Sequence, residues 1–378
     1  MAGKLVLHIG THKTGTTTLQ STLESNTDAR RRAGFIYPTM PEKWEHAARN
    51  RNGYWLNMAV LERIGSIHLQ QPEKIAACRA MCSELLTQSE RNLILSDERL
   101  WYNGTKSGFW PAARAILEEC GAREVTVVLY LRRQDLFAES LWAQFVKQGN
   151  MSSELVDYIS ANKIKKVCDY ARGIKAIQAV FGAENLVIRI YDCNQLVEGD
   201  TVADFLSTAG IEDRSAFVRP ELPRNPSLGP TATLLKLQIN RSPGYREHEK
   251  DFLHVPAKAV SAQRAESKAS FLTPEQRAEF LAQYDQGNEW IARECLGRED
   301  GVLFPASEDE LQRPAFEPDA LKLALQTCEL MSEALTAERE ERRRETAALR
   351  ERLHALEAAQ AADIGSRAKR AARKLLGR

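Results

Sequence analysis

Five short apolar runs punctuate the first half of the chain, and each ends at a turn signal. Residues 5–9 (LVLHI) stop at Gly10, and Phe35-Ile36-Tyr37 stops at Pro38. Leu93-Ile94-Leu95 stops at Ser96-Asp97-Glu98, residues 124–131 (EVTVVLYL) stop at Arg132-Arg133, and residues 186–191 stop at Asp192. Near-continuous apolar runs are what strands covered on both faces require. Between them lie segments with helical period. Residues 16–32 place Leu19 and Leu23 on one face, and residues 72–89 place Ile75, Cys78, Cys82, Leu85 and Leu86 on another. Further helices are predicted near 111–120, around Phe137, Ser140, Leu141, Trp142 and Phe145, and over 164–181 and 200–209. Alternating strands and helices predict an α/β fold: a doubly wound parallel sheet of about five strands flanked by helices.

Beyond residue 220 the pattern weakens. Pro220, Pro223, Pro226, Pro230, Pro243 and Pro256 break it into loops and short helices. Thr273-Pro274-Glu275-Gln276 then reads as a helix start, with Thr as N-cap, Pro at N1 and Gln at N3, and that helix is predicted to reach Leu296. Val302-Leu303-Phe304-Pro305 closes the globular part, so residues 1–305 are expected to form one domain and 306–378 a charged helical extension. Within the extension, residues 319–362 read as helix. Leu321, Leu325 and Cys328, then Leu349, Leu353 and Leu356, alternate by four and three, with the charged run 338–345 between them. The stripe fits either a short coiled-coil seam, which would let the chain self-associate, or a lone solvated helix. The end, residues 367–378, is basic. It fits a frayed tail or a weak contact with an anionic membrane or nucleic acid.

Composition narrows this only slightly. Net charge is +1 over 378 residues, which gives no global bias toward nucleic acid. Seven cysteines without CxxC pairs point to a reducing compartment, and the absence of a signal-like leader or an apolar run of spanning length points to the cytoplasm. Cys78 and Cys82 have no His or Cys cluster beside them and are expected on a buried helix face rather than on a metal.

The candidate chemistry sits after the first strand, in Gly10-Thr11-His12-Lys13-Thr14-Gly15-Thr16-Thr17. Two glycines let backbone N–H groups approach an anion, the following helix start adds partial positive charge, and a lysine adds a full one. The glycine spacing matches the Walker form, but Thr16 stands where the Walker lysine belongs, and the lysine is Lys13, inside the loop. Lys13-Thr14-Gly15-Thr16-Thr17 resembles the 5′-phosphosulfate loop of sulfotransferases that use 3′-phosphoadenosine 5′-phosphosulfate (PAPS). Arg132 at a strand end and Ser140 eight residues on resemble that family's 3′-phosphate site. Arg133 departs from the Asn that many members have next, and no proline follows it.

The resemblance covers residues 5–304 at low level and is specific in these two motifs. It implies a P-loop type sheet, PAPS as co-substrate, no metal, and transfer of a sulfuryl group to a hydroxyl or amine. Lys13, Thr14, Gly15, Thr16, Thr17, Arg132 and Ser140 would hold the nucleotide, with Arg224 in a third loop and weaker matches at Asn225 and Ser227. Lys13 would also act on the leaving oxygen. Proton acceptors are Glu98, His12 and His46. Glu98 is favoured, although a carboxylate at a helix start is also an ordinary capping device. His8 reads as structural. The segment with Trp44, His46, Asn50, Asn52, Tyr54, Trp55 and Asn57 is more polar-aromatic than a core needs; it fits either the wall of an acceptor pocket for a carbohydrate or glycolipid, which is favoured, or the decoration of a surface helix. The competing expectation is a P-loop kinase or NTPase, with residues 93–98 as a Walker B strand holding Mg²⁺.

Overall fold

The computed structural model describes residues 4–45, 47–69, 71–88, 90–220, 228–241 and 270–317, and near the C-terminus residues 336, 338–354 and 356. The five apolar runs form strands. β1 (Leu5–His8) leads through helices α1 (Thr16–Ser25) and α2 (Thr27–Arg32) to the short β2 (Phe35–Ile36). Helices α3 (Tyr54–Arg63) and α4 (Pro72–Gln88) precede β3 (Asn92–Ser96). Helices α5 (Arg99–Asn103) and α6 (Phe109–Glu119) precede β4 (Val125–Leu131). Then come α7 (Gln134–Lys147), α8 (Leu155–Ser160), α9 (Asn162–Cys168), α10 (Tyr170–Phe181), β5 (Leu186–Ile190) and α11 (Thr201–Thr208).

The strands pair in the order β2-β3-β1-β4-β5, every pair parallel. Strand alternation divides the core. Leu5, Leu7 and Ile9 of the first run face the larger cluster with Trp55, Leu95, Ile116, Leu129, Phe137 and Ile174. Val6, Ile94, Val128 and Tyr130 face the smaller one, closed by Leu19 and Leu23 of α1 and by Val202, Phe205 and Leu206 of α11. With both faces covered, a run can stay apolar throughout, which is why residues 125–131 read as they do.

Three predicted helices are interrupted, two of them by a local competitor. The 16–32 helix stops at Asn26, whose side-chain amide donates to the Thr22 carbonyl at 2.8 Å, and α2 restarts at Thr27. The 164–181 helix breaks at Asp169, whose carboxylate accepts from the Arg172 N–H at 3.1 Å and so caps α10. The helix from Pro274 has the expected capping box at Thr273 and Gln276, but ends at Ala282 and continues as Asp285–Trp290 and a π-turn over Ile291–Cys295. Cys78 and Cys82 lie on the buried face of α4. Among the described residues, no helix is long and apolar enough to cross a membrane, and no group of three metal-ligating side chains occurs.

Candidate active site

β1 is the central strand, and the connections from its end and from β4 leave in opposite directions across the sheet. A crevice opens at such a point, outside the carboxyl ends of the strands. The loop after β1, the Ser96-Asp97-Glu98 turn after β3 and Arg132 after β4 all meet there.

The loop is pinned to the sheet by its backbone. The Ile9 N–H donates to the Val128 carbonyl at 3.0 Å, the Thr11 N–H to that of Tyr130 at 2.9 Å, and the Tyr130 N–H to that of Gly10 at 3.1 Å. Gly10 has φ 72°, and a Cβ there would stand 2.6 Å from the Glu98 Cβ. Only glycine serves both the left-handed turn and the approach of Glu98. Gly15, φ 77°, ends the loop and opens α1, where a Cβ would press on Thr201. No side chain caps α1 and its first turn carries no acid. Its first N–H groups therefore face the crevice end of the sheet with partial positive charge.

Lys13 has φ 66°, one of two non-glycine residues with positive φ among the described residues. A β-carbon in that region costs about 1–2 kcal/mol. The Arg132 guanidinium donates to the Lys13 carbonyl at 3.3 Å and helps hold the conformation. The Thr14 hydroxyl donates to the Thr11 carbonyl at 2.7 Å and braces the loop from inside. Burial and then the nearby Lys147 and Arg132 cations lower the Lys13 pKa. Cations facing one another and an open helix start together fit a polyanion such as a phosphate ester. Thr17 stands exposed on the helix start, and Ser140 lies half-buried in the second turn of α7. Arg224, Asn225, Ser227 and His46 lie outside the described residues.

Glu98 and Asp97 share Arg51. Its guanidinium lies 2.8 Å from Asp97 Oδ1 and 3.3 Å from Glu98 Oε1. Burial raises the Glu98 carboxyl, but Arg51 and His12 outweigh it and hold the group below the usual carboxylate range. Its second oxygen is sealed and unpartnered. Burial pushes Asp97 up to about 6 against the pull of Arg51. Burial also lowers His12 to about 4, so its ring is neutral at pH 7, with Nδ1 unpartnered. Sequence reasoning missed Arg51. Its contacts lie more than 40 positions away in the chain, so no local spacing signals them.

The expected acceptor wall is, for the most part, a brace. Trp55 is fully buried in the core and Tyr54 nearly so. The Asn52 amide donates to the Ile94 carbonyl at 2.9 Å, and its oxygen accepts from the Ser96 N–H at 2.8 Å. Asn57 accepts from Asn103 at 2.9 Å. These amides satisfy strand and helix ends inside the core, where an unpaired group is costly. The polar-aromatic composition therefore marks interior pairing, which the sequence alone does not distinguish from a pocket lining.

His8 is buried under the loop, with Nδ1 2.8 Å from the Ser96 hydroxyl. Burial lowers its pKa from 6.5 to about 4, with Glu98 partly opposing. The unfolded chain therefore takes the proton first. His8 contributes its full stability above pH 6.5 and loses it as the pH falls to about 4, a loss of about 3 kcal/mol over that interval. Asp97, raised to about 6, works in the opposite sense, so the net curve alone does not isolate His8. A His8→Gln variant does. In urea titrations the stability gap between native protein and variant should shrink by about 3 kcal/mol from pH 7 to pH 4. A constant gap would mean that His8 titrates normally.

No protein-family model matches the chain. A stretch of 194 residues is 33% identical to an uncharacterized protein of Archaeoglobus fulgidus, covering 49% of this chain and 49% of that one. The chain thus spans about half the length of the curated relative it matches. Among solved structures it is similar to a sulfotransferase from Alicyclobacillus acidocaldarius, at 13% identity and TM-score 0.37, over 60% of this chain and 88% of that chain. It is also similar to a sulfotransferase domain from the curacin biosynthetic pathway, at 12% identity and TM-score 0.33, over 59% and 79%.

Proposed function

We propose that the chain is a sulfotransferase that moves a sulfuryl group from PAPS to a hydroxyl or amine of a small-molecule or glycan acceptor. The observation that carries the proposal is the joining of the two motifs: Arg132 donates to the backbone of Lys13, so the strand-end arginine and the loop lysine belong to one site. A P-loop with its lysine inside the loop, an uncapped helix start and a second cation at the end of β4 suits a nucleotide with phosphates at two ends. In this reading the loop N–H groups with Thr14, Thr16 and Thr17 hold the 5′-phosphate. Arg132 and Ser140 hold the 3′-phosphate, and Arg224 is carried as a further contact.

The acceptor oxygen or nitrogen forms a bond to sulfur as the sulfur–oxygen bond to the 5′-phosphate breaks. The bond's electron pair leaves with the phosphate, beside Lys13. Glu98, ionised and set against Gly10, takes the acceptor's proton.

Calorimetry tests the donor. The purified protein is expected to bind PAPS and 3′-phosphoadenosine 5′-phosphate without added metal. Arg132→Ala should weaken the latter by about 1.5–3 kcal/mol, the range for hydrogen bonds to charged groups, and adenosine 5′-phosphosulfate, which lacks the 3′-phosphate, by much less. Tight binding of ATP with Mg²⁺ and none of the 3′-phosphorylated nucleotide would turn the reading to a kinase.

A further inference from the structure

Residues 338–354 form a helix whose described residues are exposed except the half-exposed Glu338. Leu349, Leu353 and Leu356 are 66%, 57% and 65% exposed. A lone helix of this length is marginal in water, and three bare leucines on one stripe are unfavourable unless something covers them. The charges beside the stripe say what does. With Leu349 and Leu356 at d and Leu353 at a, Glu345 falls at g and Arg350 at e. In a parallel pair each g residue faces the e residue five positions on in the other helix, so Glu345 meets Arg350 twice. In an antiparallel pair g faces g and e faces e, so Glu345 and Arg350 do not meet. The same register takes in Leu321, Leu325, Cys328 and Leu335 earlier in the sequence. Arg342, which falls at d, is held by Glu338 of its own helix at 2.6 Å, which lowers the cost of a cation on the seam.

We infer that this helix pairs, parallel and in register, with the same helix of a second copy of the chain. The stripe is short and carries Arg339 and Arg342, so pairing depends on the flanking charges more than in a leucine-rich zipper. That makes it testable by charge exchange in the full-length protein, with mass followed by light scattering across dilution.

The native chain is expected to be a dimer at micromolar concentration. Arg350→Glu sets Glu345 against a glutamate twice, and should raise the dimer dissociation constant about tenfold or more, from pair energies of a few tenths of a kcal/mol reversed in sign. The double variant Glu345→Arg/Arg350→Glu should restore the native constant. Both positions are exposed, so folding and nucleotide binding serve as controls. A native chain that is monomeric at tens of micromolar overturns the inference. So does a double variant as weak as the single one, because the two charges then do not face each other.

Discussion

Lys13→Ala should lower turnover on the order of 10²–10³-fold while leaving the fold in place, by analogy with removal of one oriented donor from an oxyanion site. The fold should survive for a specific reason. Lys13 already occupies the left-handed region at φ 66°, and alanine pays the same steric cost there as lysine. The loop is anchored by its backbone to β4 and by Thr14 to Thr11, none of which involves the Lys13 side chain. In the proposed reaction, what is lost is one cation on the leaving phosphate, near Lys147 and Arg132. Binding of the product nucleotide should fall much less than turnover, because the other groups around that phosphate remain. The measurement is single-turnover sulfuryl transfer alongside thermal unfolding. Native turnover at an unchanged midpoint would remove Lys13 from the chemistry. Lost turnover with a midpoint many degrees lower would assign it to structure instead.

The sheet and the loop were legible because each rests on a local rule. A strand buried on both faces must be apolar, and a left-handed turn beneath another chain segment must be glycine, as at Gly10 under Glu98. The breaks at Asn26 and Asp169 were not legible, because a short polar side chain that can cap is also tolerated on an exposed helix face. Long-range pairing was invisible for the same kind of reason. Arg51, in its ion pairs with Asp97 and Glu98, carried no signal in the sequence, and Asn52, bonded to β3, read as a pocket residue. Whether a polar side chain faces a ligand or a strand end depends on the register of elements more than 40 residues apart. The seam at Leu349, Leu353 and Leu356 was visible as spacing, but only the helix's exposure shows that the sheet domain does not cover it.

The end of the sheet domain yields the last expected result. Residues 306–317, beyond the expected boundary at 305, are held by Arg133, Ser270 and Arg277. Arg277, 3% exposed, donates to the Leu311 and Arg313 carbonyls, to the Ser270 hydroxyl at 2.8 Å and to the Leu272 carbonyl at 3.1 Å. Its Nε lies 3.5 Å from Asp135, which also pairs with Arg133 at 2.8 Å, and Arg133 reaches Glu310 at 3.3 Å. The Phe316 N–H donates to the Ser270 carbonyl at 2.6 Å. We propose that the domain runs past residue 305 and takes in Phe316. A chain cut after Pro305 strips a buried guanidinium of two acceptors and Arg133 of one. Leaving buried donors without their carbonyl acceptors costs about 1–3 kcal/mol. A chain cut after Glu317 keeps every one of these contacts and should be more stable than the chain cut after Pro305. The loss should also reach the site, since Arg133 and Asp135 flank the turn that sets Arg132. The shorter chain should therefore bind the 3′-phosphorylated nucleotide more weakly than the longer one. Equal urea midpoints for the two truncations would mean that residues 306–317 contribute nothing to the fold, and the boundary would then stand at 305.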